Sequence, residues 1–321
     1  FPKRIYYTCN PGGQGHGYIK RLFIDRVYES GENPDDYIFI KALATDNKAL
    51  MKSQPDYVKQ LEALPEKLKQ AWLYGNWDIF DGQFFEEFRD NPDGYETRQW
   101  SHVIEPFAPT DGMNIYRSYD FGYHRPFSCA WWAVDREGVL YRILELYGCT
   151  ATPNDGVRWS PEKQFSEISR IEREHPWLKN RKIRGVADPS IWDTSRGESI
   201  ARTAEKYGLF FEPGDNKRIA GWMQCHYRLS FDENGYPMMY VFKNCRAFIR
   251  TVPLLLYSEN IPEDLDTTGE DHVADEWRYM CMSRPIPPKT VKQEEILTDD
   301  PLDMLKKKNT AYTGGIYNFR K

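Results

Sequence analysis

Apolar and polar residues follow regular periods from about residue 106 to about residue 284, and these periods predict most of the secondary structure. Short apolar runs bounded by turn residues indicate strands, and apolar residues three or four positions apart indicate helices. The predicted strands cover residues 114–121, 127–134, 139–147, 183–187 and 209–212, and the predicted helices between them cover 160–175 and 197–207.

The predicted elements follow one another in the order β-β-β-α-β-α-β. Three strands joined by short turns predict an antiparallel meander, and the alternation of strands and helices after them predicts parallel crossovers. That combination is the ribonuclease H order, so we predict an α/β fold with a ribonuclease H-like mixed sheet flanked by helices. Further patterns predict helices at 217–229, 245–256 and 271–282, and an edge strand at 238–242.

The N-terminal third of the chain shows a weaker pattern. It predicts strands at 4–9 and 37–43 and helices at 57–61 and 65–74, whereas residues 76–105 show no clear period. Because the sequence opens within a predicted strand and without a methionine, we expect it to be a piece of a longer protein. The predicted divisions are an N-terminal unit at 1–82, a linker at 83–105, a main domain at 106–284 and a flexible tail at 285–321.

Three short acidic segments are the main candidates for chemistry. Asp120 and Asp188 each end an apolar run that is predicted to be a strand. Asp271 and Asp275 lie four positions apart on a predicted helix, so they share one face of it. If the segments converge, two carboxylates ~4 Å apart repel each other by about 4 kcal/mol at an effective dielectric constant of about 20. Protons or cations must offset that repulsion, so we predict a divalent-metal site and phosphate chemistry.

Each candidate also has a purely structural interpretation. Asp120 can begin a turn, Asp188 can cap the turn after its strand, and two acids four apart commonly form a solvated helix face. His272 lies on the same side as Asp275 and is predicted to ligate metal, orient water or contact phosphate, although a lone histidine is more often structural. Glu145, on the third predicted strand, is an alternative ligand, and an exposed strand residue is the favoured interpretation.

The composition of the 321-residue chain narrows the function classes. Its 40% hydrophobic and 28% charged residues are ordinary for a globular protein, and it has no run of 18 apolar residues, so no membrane helix is expected. The net charge of −5 excludes a uniformly basic nucleic-acid coat. DNA binding stays open, because acids in a metal site offset basic residues elsewhere. The six cysteines lack zinc-finger spacing and are expected to be free thiols in a reducing cytoplasm.

Basic residues cluster in short runs at 179–184, 217–218 and 306–308. Such runs are usually solvated surface, but in a nuclease they meet phosphates, and Lys217 and Arg218 are the pair predicted to bind DNA. The Gly-rich segment 12–17 lacks the Gly-Lys-Ser/Thr ending of a Walker A loop. The Asp-Phe-Gly at 120–122 stands without the other protein-kinase segments, so a kinase is excluded.

Taken together, these motifs resemble the large terminase subunit of tailed bacteriophages. The segment Thr-Cys-Asn-Pro-Gly-Gly at 8–13, with 17–23 after it, resembles the end of that family's ATPase domain. Segments 64–65, 73–77 and 84–88 resemble the passage from the ATPase to the nuclease. The acidic segments at 119–122, 187–189 and 271–279 resemble the three nuclease motifs, and Asp-His-x-x-Asp-x-x-Arg-Tyr is the most specific of them. The resemblance covers roughly residues 1–284.

The resemblance implies roles for the acidic residues. It implies that Asp120, Asp188 and Asp275 are catalytic and hold two Mg²⁺ or Mn²⁺ ions. It further implies accessory roles for Asp271 at the metal and for His272 in catalysis. The chain would then be a metal-dependent endonuclease that cuts concatemeric double-stranded viral DNA.

The resemblance also implies a larger machine. Residues 1–82 would be the C-terminal remnant of a P-loop ATPase domain, with Thr8 and Asn10 from the motif that couples nucleotide state to motion. Because Walker A and B elements are missing, ATP is implied only for the full-length protein. The implied partners are double-stranded DNA, the portal protein and the small terminase subunit, in a homo-oligomeric motor acting at the procapsid in the host cytoplasm, with no membrane.

Two alternatives remain open from the sequence. The first is another ribonuclease H-like nuclease of the integrase or resolvase type. The second is a module that grips DNA or docks to the portal without catalysis.

Overall fold

A seven-stranded mixed sheet forms the centre of the molecule. The computed structural model describes residues 4–11, 15–28, 31–54, 56–62, 64, 66–78, 82–195, 197–258, 261 and 263–287. Within them the strands are β1 (Val103–Ile104), β2 (Asn114–Asp120), β3 (Ser128–Val134), β4 (Leu140–Tyr147), β5 (Ile183–Ala187), β6 (Phe211–Pro213) and β7 (Met239–Phe242). The helices are α1 (His16–Ile19), α2 (Lys48–Ser53), α3 (Tyr57–Glu62), α4 (Glu66–Trp72), α5 (Pro161–Glu174), α6 (Ile200–Lys206), α7 (Arg218–Leu229), α8 (Arg246–Thr251) and α9 (His272–Ser283).

The strand order confirms the predicted fold. The strands lie in the order β1-β7-β4-β3-β2-β5-β6. β2, β3 and β4 form an antiparallel meander, whereas β5 pairs parallel to β2 and β6 pairs parallel to β5. Three meandering strands followed by two parallel crossover strands are the ribonuclease H order that the sequence predicted, so the chain has an α/β fold of this type.

Helices cover both faces of the sheet, as the alternation of side chains along β2 shows. Arg117 and Tyr119 bond to Glu172 and Gln164 of α5. Ser118, between them, bonds to α9 on the opposite face. Successive side chains of a strand point to opposite faces, so Asp120 faces the side that carries α9. α7 packs against α9 on that side, and α6 packs against α5 on the other.

Four fully buried tryptophans, two from one strand and one from each of two helices, mark the core of this assembly. They are Trp131, Trp132, Trp222 and Trp277. Charged side chains are buried with them, and Arg142 of β4 donates to Glu276 of α9 over 2.7 Å with both side chains fully excluded from solvent. A buried pair of this kind is costly to break, because either charge left alone lacks water.

Several predicted elements differ from the structure. The predicted strands at 4–9 and 37–43 are not strands and have no pairing partner among the described residues, with Ile5 and Ile40 both 79% exposed. An apolar alternation predicts an extended backbone, but a strand also needs a neighbour for its N–H and C=O groups. β7 is not an edge strand, because β1 pairs with its outer side. The predicted helix at 245–256 ends as an α-helix at Thr251 and continues as one 3₁₀ turn, Val252–Leu254.

The stretch 83–105, where a linker was predicted, contributes to the core. Phe84, Phe85 and Phe88 are each at most 4% exposed, and β1 extends the sheet. These buried aromatic residues lie outside any helix or strand, so their positions follow neither a helical nor a strand period in the sequence. The division of the chain into an ATPase remnant, a linker and a nuclease domain stays a prediction, and the predicted tail lies outside the described residues from 288 onward. No helix in the described part is both long and apolar enough to cross a bilayer.

Candidate active site

Asp120 and Asp188 lie side by side at the carboxyl ends of two neighbouring parallel strands. The register pairs Tyr119 of β2 with Ala187 of β5, and the Asp188 N–H donates to the Tyr119 carbonyl over 3.1 Å. The chain leaves the sheet at both residues, so each carboxyl is presented at the same edge. This is the arrangement that the two apolar runs ending in aspartate predicted.

Helix α9 brings the third acidic segment to the same edge. Asp271 stands immediately before the helix and is 6% exposed, and its carbonyl accepts from the Asp275 N–H over 2.9 Å. Val273, Ala274 and Trp277 are fully buried and fix this end of the helix against the sheet. Because this apolar face packs on the sheet, α9 holds Asp271 and Asp275 close to the end of β2.

The pKa values show that the acidic residues interact. Burial raises the pKa of Asp120 to about 7, and the negative charges of Asp275 and Asp188 act in the same direction. Burial also raises the pKa of Asp271 to about 6, with the charge of Asp275 contributing. Like charges brought together out of water favour the protonated forms. The segments thus converge, as predicted from the sequence.

His272 forms an ion pair with Asp120 and partly offsets this charge. Its Nδ1 lies 3.6 Å from Oδ2 of Asp120. Nε2 lies 3.2 Å from Oδ1 of Asn154, an acceptor, so Nε2 carries a proton. Burial alone would lower the pKa of His272, but the contact with Asp120 and the surrounding acids outweigh it and raise the pKa. The imidazolium therefore compensates the carboxylate that it faces.

Asp275 is held by two arginines. Nη1 of Arg218, at the start of α7, donates to its Oδ1 over 3.1 Å and to its Oδ2 over 3.3 Å. Nε of Arg278, one turn further along α9, donates to Oδ1 over 3.1 Å. Arg218 is itself anchored, because its Nε donates to Asp264 over 3.0 Å. The carboxylate of Asp275 is thus fully engaged by cationic side chains.

Asp188 has two roles in the structure. Its Oδ1 accepts from the Ser190 N–H over 2.6 Å, which caps the 3₁₀ turn Pro189–Trp192. Its Oδ2 accepts from the hydroxyl of Tyr279, on α9. The capping interpretation is confirmed by Oδ1, whereas the role of Asp188 as a metal ligand stays a prediction.

The donor set fits a hard divalent cation. Carboxylate oxygens are the ligands that Mg²⁺ and Mn²⁺ prefer, and the raised pKa of Asp120 reflects its burial together with an excess of negative charge that a cation would relieve. Among the described residues, however, no three His, Cys, Asp or Glu side chains stand together as a ready ligand set. The arginines on Asp275 and the tyrosine on Asp188 occupy the oxygens that a cation would need.

The two residues predicted to bind DNA are placed differently from each other. Lys217 is exposed, with Nζ 3.7 Å from Oδ2 of Asp215. Arg218 is directed into the site, toward Asp264 and Asp275, and its guanidinium lies 5.1 Å from the ring centroid of Trp222. Lys217 is the more exposed of the two, with 77% of its side chain accessible against 30% for Arg218.

Glu145 is not an exposed strand residue, because its side chain is only 9% exposed. Its carboxylate accepts from the N–H groups of Ala247, over 2.5 Å, and Phe248, over 3.2 Å. These N–H groups belong to the first turn of α8, where a carboxylate satisfies donors that have no partner inside the helix. The interpretation as an exposed strand residue is therefore wrong, and the alternative role as a ligand stays a prediction.

Thr8 and Asn10 lie in the exposed N-terminal segment, which forms neither helix nor strand. With the segment around Phe39 and with Trp77, they line a cavity of about 680 Å³. None of the described acidic residues of the site lines this cavity.

Sequence reasoning missed the residues that hold the acids in place. Arg278, Tyr279 and Glu276 stand inside the third acidic motif, yet only the acids and His272 were singled out. The sequence did contain a signal for Arg278 and Tyr279, because both belong to the segment Asp-His-x-x-Asp-x-x-Arg-Tyr that resembles a nuclease motif. Asn154 gave none, since it comes from a loop more than 100 positions away.

Comparisons with known proteins return structures and no sequence families. No family model matches the chain, and no curated protein matches it. The solved structures similar to it include the large terminase of a thermophilic bacteriophage in complex with ADP, at 18% identity and a TM-score of 0.47, over 85% of this chain and 60% of that one. The P22 large terminase nuclease domain is 17% identical with a TM-score of 0.47, over 64% of this chain and 93% of that one.

A third similar structure is the large terminase nuclease of another thermophilic phage, G20c, with bound cobalt, at 13% identity and a TM-score of 0.42, over 63% of this chain and 97% of that one. The chain spans about 60% of the length of the ADP-bound terminase. All three are terminase structures, the family that the sequence motifs resemble. The assignment of the fold rests on the strand order and register of the sheet itself.

Proposed function

We propose that this chain is a divalent-metal-dependent endonuclease that cuts double-stranded DNA, as the nuclease part of a phage DNA-packaging terminase. The observation that carries the proposal is the convergence of Asp120, Asp188, Asp271 and Asp275 at one edge of a ribonuclease H-like sheet. Burial, together with repulsion from Asp275 and Asp188, raises the pKa of Asp120 to about 7. Carboxylates that a fold holds close together favour the binding of a cation. Strongly shifted pKa values are typical of functional sites.

The proposed ligands are Asp120, Asp188 and Asp275, with Asp271 beside them. Two Mg²⁺ or Mn²⁺ ions, when bound, would supply Lewis acidity for the hydrolysis of a phosphodiester. The protein's own part is to hold the carboxylates in position. Tyr279 fixes one oxygen of Asp188, and the buried face of α9 keeps Asp275 near the strand ends.

His272 has the chemistry of a proton-transfer and charge-balancing group. Its Nδ1 faces Asp120 and its Nε2 is fixed by Asn154, so the ring orientation is set from both sides. The contact with Asp120 and the surrounding acids raise the pKa of His272 against the effect of burial, which favours the imidazolium with its Nδ1–H next to the carboxyl of Asp120. We propose that it stabilises the acid cluster when no cation is present and contacts the DNA phosphate when one is.

The other parts of the packaging machine belong to the same proposal. The substrate would be concatemeric viral DNA, and the partners would be the portal protein and the small terminase subunit. ATP would act in the full-length protein, through the motif to which Thr8 and Asn10 belong, at the procapsid in the host cytoplasm.

The test is digestion of supercoiled plasmid in Mn²⁺ by the wild-type protein and by Asp120→Ala. We expect nicked and linear products from the wild type, and a loss of at least about a hundredfold in the variant, because a ligand at the strand end is removed. Asp111→Asn is the matched control, since the Asp111 side chain is fully exposed, and it should cut like the wild type. Cutting by Asp120→Ala at the wild-type rate would overturn the proposal.

A second candidate is a module that grips DNA without cutting it. One observation favours it, namely that Arg218 and Arg278 already neutralise Asp275. A module of this kind would bind DNA equally with Mn²⁺ or EDTA, would leave the plasmid intact, and would show no Mn²⁺ between Asp120 and Asp275 in crystals soaked with the ion.

A further inference from the structure

A basic cavity lies on the face of the sheet opposite the acid cluster. Its volume is about 460 Å³, and it is walled by the last turns of α5, the segment that leads into β5, and the segment 207–210 between α6 and β6. Arg117 forms its inner wall from the face of β2 that α5 covers, whereas Asp120 points to the other face. The side chains that give the cavity its character are Arg117, Glu172, Arg173, Lys179, Arg181 and Phe210.

The cavity concentrates positive charge in a chain whose net charge is −5. Four of these side chains are cationic and one, Glu172, is anionic. Glu172 is already engaged by Arg117 and by Nε1 of Trp131, over 2.9 Å. Within the described part of the chain, no carboxylate lies within ion-pair distance of Arg173 or Lys179. The basic run at 179–184, to which no role was assigned from the sequence, therefore borders a concave surface.

Two of the cations are built into the wall. Arg117 is 2% exposed and its Nε has no hydrogen-bond partner among the described residues. Arg181 donates to the Met113 carbonyl over 2.5 Å, and the carboxylate nearest to it is the exposed Asp111 at 3.9 Å. Arg117 is paired with Glu172, whereas Arg181 is held mainly by the Met113 carbonyl, so the excess positive charge of the cavity comes from Arg181, Arg173 and Lys179.

Phe210 places a large aromatic ring beside these cations. It is 67% exposed, although its neighbours Leu209 and Phe211 pack into the protein. Its backbone carbonyl accepts from Nη2 of Arg117 over 2.9 Å, which fixes the residue at the cavity. An exposed aromatic ring among basic side chains is the combination that holds single-stranded nucleic acid, where bases stack on rings and cations meet phosphates.

We infer that this cavity binds one nucleotide unit, with its phosphate on Arg173 and Lys179 and its base stacked on Phe210. The unit would come either from a single DNA strand or from a free nucleotide. A duplex fits less well, because its bases are stacked on each other and cannot reach the ring. The inference rests on the proposed function only for the choice of DNA as the polymer, since the cavity lies apart from the acid cluster.

The test is fluorescence anisotropy of a labelled twelve-residue oligothymidylate in EDTA, so that no cation can reach the acid cluster. The pocket variant carries Arg173→Gln and Lys179→Gln. The control carries Arg136→Gln and Lys243→Gln, which remove the same charge from exposed positions in the other half of the sheet. Phe210→Ala tests stacking separately, unlabelled thymidine monophosphate is added as competitor, and thermal melting checks that each variant is folded.

We expect the pocket variant to bind at least about tenfold more weakly, and its slope of log K against log salt to fall by about 0.7, since the one phosphate contact that it loses contributes about 0.7 on a single strand. Phe210→Ala should weaken binding at least about fivefold, and the control pair should bind like the wild type. If thymidine monophosphate displaces the labelled oligothymidylate, the cavity accepts a free nucleotide. If it does not, the ligand of the cavity is a nucleotide unit within a single strand.

Equal weakening by the pocket and control pairs would overturn the inference, as would wild-type binding by Phe210→Ala. Plasmid cutting in Mn²⁺ separates the two proposals. If the wild type cuts while the pocket variant binds oligothymidylate normally, only the cavity assignment fails. If the cavity binds and no protein cuts, only the nuclease assignment fails.

Discussion

At the scale of single residues, side chains from other elements bond to the aspartates of the site, as Tyr279 does to Asp188 and Arg218 does to Asp275. Asp120 and Asp188 could be found because each ends an apolar run, and the carboxyl ends of adjacent parallel strands meet at one edge of a sheet. The side chains that bond to the carboxylate oxygens of these two residues could not be predicted from the sequence. Tyr279 reaches Asp188 from a helix 91 positions away, and only the packed fold sets that contact.

The raised pKa of Asp120 predicts how the metal-free protein responds to pH. An unfolded aspartate titrates near 3.8, whereas folded Asp120 titrates near 7. Between those values the folded state holds a proton that the unfolded state has lost, so this group's contribution to stability falls as pH rises through that window. About three pKa units correspond to on the order of 4 kcal/mol. Asn at this position cannot ionise, so Asp120→Asn should escape the loss.

We therefore expect Asp120→Asn to be more stable than the wild type at pH 8 in EDTA and similar to it near pH 4. Urea unfolding at several pH values measures the difference, which should grow up to about pH 7 and then level off. Asp111→Asn should show no such trend. A difference independent of pH, or one that favours the wild type at pH 8, would mean that the Asp120 carboxyl is not destabilised by its surroundings.

At the scale of elements, α9 links the site to the core. Asp275 faces the acid cluster, while the next residue, Glu276, is fully buried and accepts from Arg142 of β4 and from Ser128 of β3. The apolar period predicted this helix within one residue of its ends. It could not predict that α7 would present Arg218 to Asp275, because periodicity within one helix carries no information about which polar residue of another helix it meets.

The contact between α7 and α9 predicts that Arg218 competes with cations for Asp275. Arg218→Gln removes one of the two cationic partners of this carboxylate, and the Arg218 side chain is 30% exposed, so water screens the pair. A partly exposed ion pair contributes up to about 1 kcal/mol. We expect Mn²⁺ to bind roughly fivefold more tightly to the variant in isothermal titration.

Arg246→Gln is the matched control, because Arg246 is exposed on α8 and should leave Mn²⁺ binding unchanged. Weaker binding of Mn²⁺ to Arg218→Gln would contradict the prediction. It would show instead that Arg218 positions Asp275 for the cation.

At the scale of the whole molecule, the order of strands was predictable and the extent of the core was not. The meander and the crossovers follow from turn lengths and periods, which are local. The packing of segment 83–105 depends on surfaces contributed by α7, α8 and α9. Phe85 lies 5.0 Å from Trp277 and Phe88 lies 5.8 Å from Phe248, measured between ring centroids. Such contacts leave no period in the short segment that makes them.

These contacts predict where the chain can be truncated without unfolding the sheet and its helices. Burying one phenylalanine side chain stabilises a fold by roughly 1.5–3 kcal/mol, so losing Phe84, Phe85 and Phe88 removes an amount comparable with the whole stability of a typical domain, about 5–15 kcal/mol. Loss of β1 would also expose the outer edge of β7, and unpaired edges promote aggregation. A fragment that begins at residue 106 should therefore unfold far below the melting temperature of one that begins at residue 82, or fail to stay in solution.

Both fragments run to residue 321, and calorimetry with plasmid cutting in Mn²⁺ compares them. Equal melting temperatures and equal cutting would show that 83–105 is a linker after all, despite its place in the core.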